Sequence, residues 1–183
     1  MEFTIRMAAV SDAEAIRRIY EPYVVNTAVT FEYDVPTAEE FSERISSTLK
    51  RYPYYVAEMN EKVVGYAYAG QFHQRAACAW AAELSVYVDK NAHGMCIGKT
   101  LYSCIERDLK EMGVINAYAV IAYTSENDPY LTKDSVYFHK KLGFEQVGRL
   151  NKCGYKFNRW YDLIYMEKII GDKCKVLELD RFK

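Results

Sequence analysis

The stretch ELSVYVDKNAHGMCIGKTLYSCI, from Glu83 to Ile105, constrains this chain more than any other. Glu83, Ser85 and Tyr87 alternate with Leu84, Val86 and Val88, the period of a strand with two distinct faces. Ile97, Leu101, Cys104, Ile105, Leu109 and Met112 then recur at helical spacing, and Gly113 supplies a stop. Between strand and helix lies a short loop with glycines at Gly94 and Gly98. Such a loop turns backbone N–H groups, and the positive end of the helix dipole, toward whatever lies in front of it, so the natural occupant is a phosphate or pyrophosphate. The carboxylate of Glu83, a few residues upstream, suggests a nucleotide-type cofactor delivered to an acid/base centre. Two better-known phosphate loops do not fit. Gly98-Lys99-Thr100 is a GKT triplet, but His93 stands where the first glycine of a P-loop belongs, and the three glycines of the dinucleotide fingerprint are missing.

The 183 residues suit one domain with a full core. The formal net charge of −1 carries no basic excess of the kind nucleic acid demands. No run approaches the roughly 20 apolar residues of a membrane span, and MEFTIRMAAVSDAEAI lacks the apolar core of a signal peptide. Five cysteines, at 78, 96, 104, 153 and 174, are therefore read as reduced thiols in a cytoplasmic protein. None pairs with histidine at zinc-ligand spacing, so no metal is expected. The 17 tyrosines point to aromatic core and interface packing before they point to an aromatic pocket.

Along the chain, Phe3 to Arg6 reads as a strand, with Ser11 and Glu14 as a capping box for a helix that Glu21-Pro22 should end near Tyr20. Thr37 and Glu40 form a second capping box, for a helix ending near Pro53. Tyr54 to Glu58 and Lys62 to Phe72 read as strands around the turn at Asn60, followed by the central strand from Trp80 to Val88 and the loop helix. Val114 to Tyr123 is a further strand, Ser135 to Leu142 a short helix, and about 144–153 and 159–168 two last strands of a mixed sheet. The expectation is an α/β fold with a central mixed sheet flanked by helices, a single domain over 1–168, and a charged tail over 169–183.

HGMCIG occupies the place of the Q/R-x-x-G-x-G/A loop of GNAT acetyltransferases. YEPYVVNTAVTFEYDVPTAEEF, RYPYYVAE, VVGYAYAGQFHQRAACAWAAELSVYV, FHKKLGFEQVG and GYKFNRWYDLIYMEK, in this order, resemble the phosphinothricin acetyltransferase-like branch of that family over residues 1 to 168. His93 replaces the usual Gln or Arg and Cys96 the usual middle glycine. The resemblance implies the GNAT fold, acetyl-CoA as co-substrate, a small-molecule amine acceptor and a homodimer. It also implies that backbone groups of His93, Gly94, Met95, Cys96, Ile97, Gly98 and Lys99 face the pyrophosphate, and that Val86, Tyr87 and Val88 offer main-chain groups to the pantetheine arm.

Acetyl transfer to an amine requires removal of a proton from the amine, a donor for the thioester oxygen and charge relief at the departing thiolate. Glu83 is the candidate base, on an apolar strand where desolvation raises a carboxyl pKa; an ordinary strand carboxylate is the alternative. The family's proposed base falls on it. His139, in SVYFHKKLGF, takes the position where many GNAT enzymes place a tyrosine that protonates the thiolate, and histidine can do the same near pH 7. A helix histidine bonded to a neighbouring carbonyl is the alternative. Asn127, in the inserted segment SENDPYLTKDS, is assigned to the cofactor by resemblance, while Asp128-Pro129 makes it a turn residue by pattern. Arg75 and Phe31 match acceptor-side positions of the branch. A bidentate guanidinium suits a substrate carboxylate, whereas Arg75 as a loop residue and Phe31 as a core residue are the plain alternatives.

The reading that follows is transfer of acetyl from acetyl-CoA to the α-amino group of a small amino acid or analogue, of the phosphinothricin, methionine sulfoximine or sulfone type. Transfer would be direct, in a ternary complex. A peptide or protein N-acetyltransferase would instead need an open groove, and a non-catalytic acyl-CoA-binding protein would need neither Glu83 nor His139.

Overall fold

The computed structural model describes residues 2–172. Seven strands form one mixed sheet: β1 (Thr4–Met7), β2 (Tyr54–Met59), β3 (Lys62–Gln71), β4 (Ala81–Val88), β5 (Asn116–Tyr123), β6 (Glu145–Lys156) and β7 (Arg159–Ile169), in spatial order β1-β2-β3-β4-β5-β7-β6. Every neighbouring pair is antiparallel except β4 and β5. These two are joined by α3 (Ile97–Glu111), because a parallel pair needs a crossover. Helices α1 (Ala13–Asn26) and α2 (Ala38–Leu49) cover one face of the sheet, while α3 and the short α4 (Asp134–Lys141) cover the other.

The alternation of β4 distributes its side chains as the pattern dictates. Leu84, Val86 and Val88 join the core with Ile97, Leu101, Ile105 and Leu109 of α3, whereas Tyr87 packs toward Ile16, Tyr20 and Phe41 of α1 and α2. Tyr20 and Tyr23 set their edges against the Tyr87 ring, with centroids 4.9 and 5.2 Å apart. Most of the tyrosine excess is thus structural.

The Thr37–Glu40 capping box forms as expected: Glu40 N donates to Thr37 Oγ1 (3.1 Å) and Thr37 N to Glu40 Oε2 (2.7 Å). Two local expectations are corrected. Ser11 does not cap α1. Asp12 ends a 3₁₀ turn there, accepts the Ala9 N–H (2.8 Å) and is clasped by the Arg6 guanidinium at 2.7 and 2.8 Å. Nor does Pro22 end α1, which runs to Asn26. The hydrogen bond lost at proline is outweighed by contacts beyond it: Val24 is buried, and the Tyr23 hydroxyl donates to the Val88 carbonyl at 2.6 Å. The turn at Asn60 is as expected, while β6 runs on to Lys156, past the expected end near 153, and so makes a second tight hairpin with β7. Asn60 and Glu61 between β2 and β3, and Phe157 and Asn158 between β6 and β7, all take the left-handed conformation of a tight two-residue hairpin. Of the expected tail, residues 170 and 171 still bond back to the Ile115 carbonyl, and 173–183 lie outside the described residues.

Candidate active site

The parallel ladder between β4 and β5 is short. It pairs Ala81 with Asn116, Ala82 with Ala117 and Glu83 with Tyr118, then stops, although both strands continue. Beyond Glu83 the strands part into a fork lined by Leu84, Val86, Ala119 and Ile121, closed at its far side by Val29, Leu131 and His139. Asp89 N donates to Val64 O on β3. By strand alternation, the main-chain groups of Leu84, Val86 and Val88 then point the other way, toward β5. The fork therefore holds backbone donors and acceptors that the sheet does not use, a match for an extended amide-bearing arm. Two details depart from expectation. The Val88 carbonyl is already engaged by the Tyr23 hydroxyl and by His93 Nε2 at 3.0 Å. The Tyr87 main chain faces β3, opposite Tyr66.

At the open end of the fork the chain turns through His93–Cys96 into α3. Gly94 (φ 81°) and Cys96 (φ 62°) are both left-handed, and no side chain caps the helix. The first N–H groups of α3 are thus left for an anion. Gly98 packs closely: a Cβ there would stand 3.2 Å from the Phe138 ring, which would have to give by a few tenths of an ångström. His93 turns its ring back onto Val88 and Tyr23, and the Cys96 thiol is exposed. An uncapped helix start at the mouth of a fork with free main-chain groups fits the pyrophosphate and pantetheine portions of acetyl-CoA, and Ile97, Gly98 and Lys99 carry the N–H groups that would face the pyrophosphate.

His139 is buried on α4. Its Nδ1 lies 2.7 Å from the Ser135 carbonyl, so Nδ1 carries the proton, and Nε2 accepts from the Tyr102 hydroxyl at 3.0 Å. Burial pushes its pKa down to about 4. The imidazole is neutral at pH 7 and bonded to a helix carbonyl. The ring is bonded as the alternative reading, a helix histidine on a neighbouring carbonyl, has it. Tyr102, to which the sequence pattern assigns no role, is fully buried beside it, and burial raises its pKa.

Glu83 is half-buried on the opposite face of β4. It has no hydrogen bond or ion pair among the described residues, and desolvation raises its pKa, the condition wanted of a base working near neutrality. Gly70 pairs with it across β3, and nothing lies within 4 Å of a Cβ built on Gly70. Open space therefore adjoins the carboxylate. Two residues along, Tyr68 faces Ser85, and a hollow of about 420 Å³ follows, lined by Tyr20, Phe41, Arg44, Tyr54, Tyr66 and Tyr68.

Arg75, Asn127 and Phe31 lie outside the fork lining. Arg75 is exposed at the start of the short turn Ala76–Cys78 and does not line the hollow. Asn127 is exposed on the loop after β5 and does not line the fork. Phe31 packs on Gly154, where a Cβ would fall 2.1 Å from its ring, and near Tyr161. It seats the 27–33 segment against the β6–β7 hairpin. The inserted segment braces the same region. Asp128 accepts from Tyr130 N and the Tyr161 hydroxyl, Tyr130 O accepts from Ala28 N, and Leu131 reaches the fork.

Residues 5–165 match the model of the acetyltransferase (GNAT) domain. The chain is 32% identical over 164 residues to phosphinothricin N-acetyltransferase of Streptomyces viridochromogenes, covering 90% of this chain and 86% of that protein. It is 31% identical over 165 residues to the L-methionine sulfoximine/L-methionine sulfone acetyltransferase of Salmonella typhimurium, covering 90% and 92%. Among solved structures, a GNAT superfamily phosphinothricin acetyltransferase from Sinorhizobium meliloti in complex with acetyl-CoA superposes with a TM-score of 0.87 at 33% identity, covering 97% of this chain and 95% of that one. The forked strands, the uncapped helix start and these likenesses agree: the chain belongs to the GNAT family and is an acetyl-CoA-dependent N-acetyltransferase.

Proposed function

We propose that this enzyme acetylates the α-amino group of a small amino acid or amino-acid analogue by direct transfer, with Glu83 as the base. The observation that carries the reading is the desolvated, unpartnered Glu83 carboxylate facing open space at the point where β4 and β5 part. When bound, acetyl-CoA supplies an activated acyl group. The chain's own residues do the rest. Glu83 accepts a proton from the incoming ammonium, directly or through water, and frees its lone pair. Main-chain N–H groups of the fork stabilise the developing negative charge on the acyl oxygen. The neutral His139 holds the Tyr102 hydroxyl and so shapes the floor of the fork. Among the described residues no cysteine lines the fork: Cys96 is exposed on the loop and Cys104 lies on α3 away from it.

The names of the relatives support a small acceptor of the phosphinothricin or methionine sulfone type. The 27–33 segment also supports it, because its tie to the β6–β7 hairpin covers the side where a peptide acceptor would need an open groove. The reading includes a cytoplasmic protein of one domain over 1–168, acting as a homodimer through the outer sheet edge, where Val147, Leu150, Tyr155 and Trp160 are exposed. An acetylation screen over amino acids and their sulfone, sulfoximine and phosphinate analogues, read as free thiol released, tests the proposal. Turnover of at least one α-amino acid is expected. Turnover of peptides or polyamines with none of amino acids would refute it.

A further inference from the structure

The glycine opposite Glu83 has no structural reason to be one. Gly70 on β3, Glu83 on β4, Tyr118 on β5 and Glu167 on β7 form a single cross-strand row, and neighbours in such a row share a face of the sheet. Along β3, the residues on that face are Tyr66, Tyr68, Gly70 and, just past the strand end, Phe72. Each carries a ring except Gly70. Its backbone is not left-handed, so the conformation does not demand glycine, and nothing lies within 4 Å of a Cβ built on it, so packing does not either. Glycine inside a strand costs stability and often marks a place where a ligand approaches the backbone.

The rest of the surroundings is closed. The Phe72 and Tyr118 rings stack with centroids 4.1 Å apart and planes 18° apart. Their strands lie on either side of β4, roughly 10 Å from each other, so both rings lean over β4 beside Glu83, where the small Ala81 leaves them room. Tyr118 is clamped in that position: its hydroxyl and Asn116 Nδ2 both donate to Glu167 Oε1. On the other side of the gap, Tyr68 is hydrogen-bonded to Ser85. The titratable groups around Glu83 are Tyr68 on β3, Tyr118 on β5 with Glu167 and Cys78 beside it, and Tyr102 of α3 across the sheet. Arg44 of α2 acts on Tyr68, and burial alone governs Glu83.

We propose that the gap over Gly70, between Tyr68 and Phe72, is the slot through which the acceptor's amine reaches Glu83, and that Phe72 and Tyr118 are positioning residues that close the approach from the β5 side to water. This rests on Glu83 being the base and adds how that carboxylate meets its substrate. Paired residues on antiparallel strands stand about 4.5–5.5 Å apart at Cα, so an amine seated over Gly70 is within hydrogen-bond reach of the carboxylate. Any side chain at position 70 would take its place. The rings, being apolar and fixed, keep the carboxylate dry, and a dry carboxylate is the stronger base.

The test uses L-methionine sulfone, or the α-amino acid that the screen finds turned over fastest, as acceptor. Gly70→Val should lose about 100-fold in kcat/KM for the acceptor, because the amine can no longer seat against the base. Valine suits a strand, so Tm should not fall, and acetyl-CoA affinity by calorimetric titration should stay as in wild type. Gly70→Ala should lose less, about tenfold, and keeps the comparison if valine disturbs the fold. Phe72→Ala should move the acid limb of the kcat profile to lower pH, and Phe72→Leu, which restores apolar cover, should return it. Wild-type acceptor kinetics in Gly70→Val, or a loss matched by an equal loss of acetyl-CoA affinity, would overturn the slot. An acid limb that Phe72→Ala leaves in place would overturn the role of the rings. Glu83→Gln separates this from the reading beneath it. If that variant matches wild type, the base assignment itself fails; if it is inactive while Gly70→Val is unimpaired, only the slot does.

Discussion

Lys156→Met offers a test of how the site is held together. The side chain is buried, and its ammonium donates to three carbonyls: Val24 (2.7 Å), Thr27 (3.0 Å) and Thr30 (2.9 Å). Val24 belongs to the last turn of α1, where carbonyls lack helical partners and where the helix has no basic residue of its own. Lys156 thus caps α1 from β6, a strand more than a hundred residues away in sequence, and fastens the segment carrying Val29, Phe31 and Glu32. A charge-assisted bond contributes about 1.5–3 kcal/mol, but three such bonds on one ammonium do not add. Burial also lowers the lysine pKa, so part of the gain is offset by desolvation. Leaving three carbonyls facing a methionine should cost about 3 kcal/mol. For a chain of this size each kcal/mol shifts Tm by about 2–4 °C, so the melting temperature should fall by roughly 6–12 °C. Calorimetry gives the stability, and kinetics should show a raised acceptor KM as the 27–33 segment loosens. A Tm within about 2 °C of wild type, taking roughly 1 kcal/mol as the least the lost cap could cost, would refute the view that Lys156 anchors the segment.

Two further predictions concern the cofactor side. Cys96→Gly relieves a left-handed residue at a cost of about 1–2 kcal/mol, less about 0.5–1 kcal/mol of glycine entropy. The variant should melt slightly higher and bind acetyl-CoA at least as well by calorimetric titration; a large loss of affinity would give the thiol a positive role. His139 has a folded pKa of about 4 against an ordinary 6.5, so its neutral form is the one folding favours. Its contribution is complete above pH 6.5 and disappears as pH falls from 6.5 to 4, amounting to about 3 kcal/mol. Urea melts at pH 7 and 4.5 should show that slope in the wild type and lack it in His139→Phe; an unchanged slope would contradict the assignment.

The strand–loop–helix from Glu83 to Ile105 is legible in the sequence because its determinants are local: alternation, helical spacing and glycines at a turn. The same holds for the Thr37–Glu40 box and the hairpin at Asn60. What escapes the sequence is non-local. Nothing in the pattern joins Lys156 to Val24, Glu32 to Arg44, or Tyr102 to His139; these pairs exist only once the sheet is assembled. Pro22 misleads for the same reason, since the contacts that keep α1 going come from β4. Burial explains His139 as well. Its place beside the fork follows from resemblance, but its protonation state depends on Ser135 and on the core around it.

The central claim is that Glu83 takes the proton from the amine. The pH–rate profile of Glu83→Gln against wild type, with one working acceptor, tests it most directly. Glutamine keeps shape and hydrogen bonding but cannot take the proton, so turnover at neutral pH should fall about 10²–10⁴-fold with acetyl-CoA affinity nearly unchanged. Because the Glu83 pKa is raised, wild-type activity should fall on the acid side at a higher pH than an ordinary carboxylate would give. The variant's deficit should shrink as pH rises and more of the amine arrives unprotonated. A variant equal to wild type at neutral pH, with the same acid limb, would contradict the account and leave Glu83 as a polar residue on a core strand.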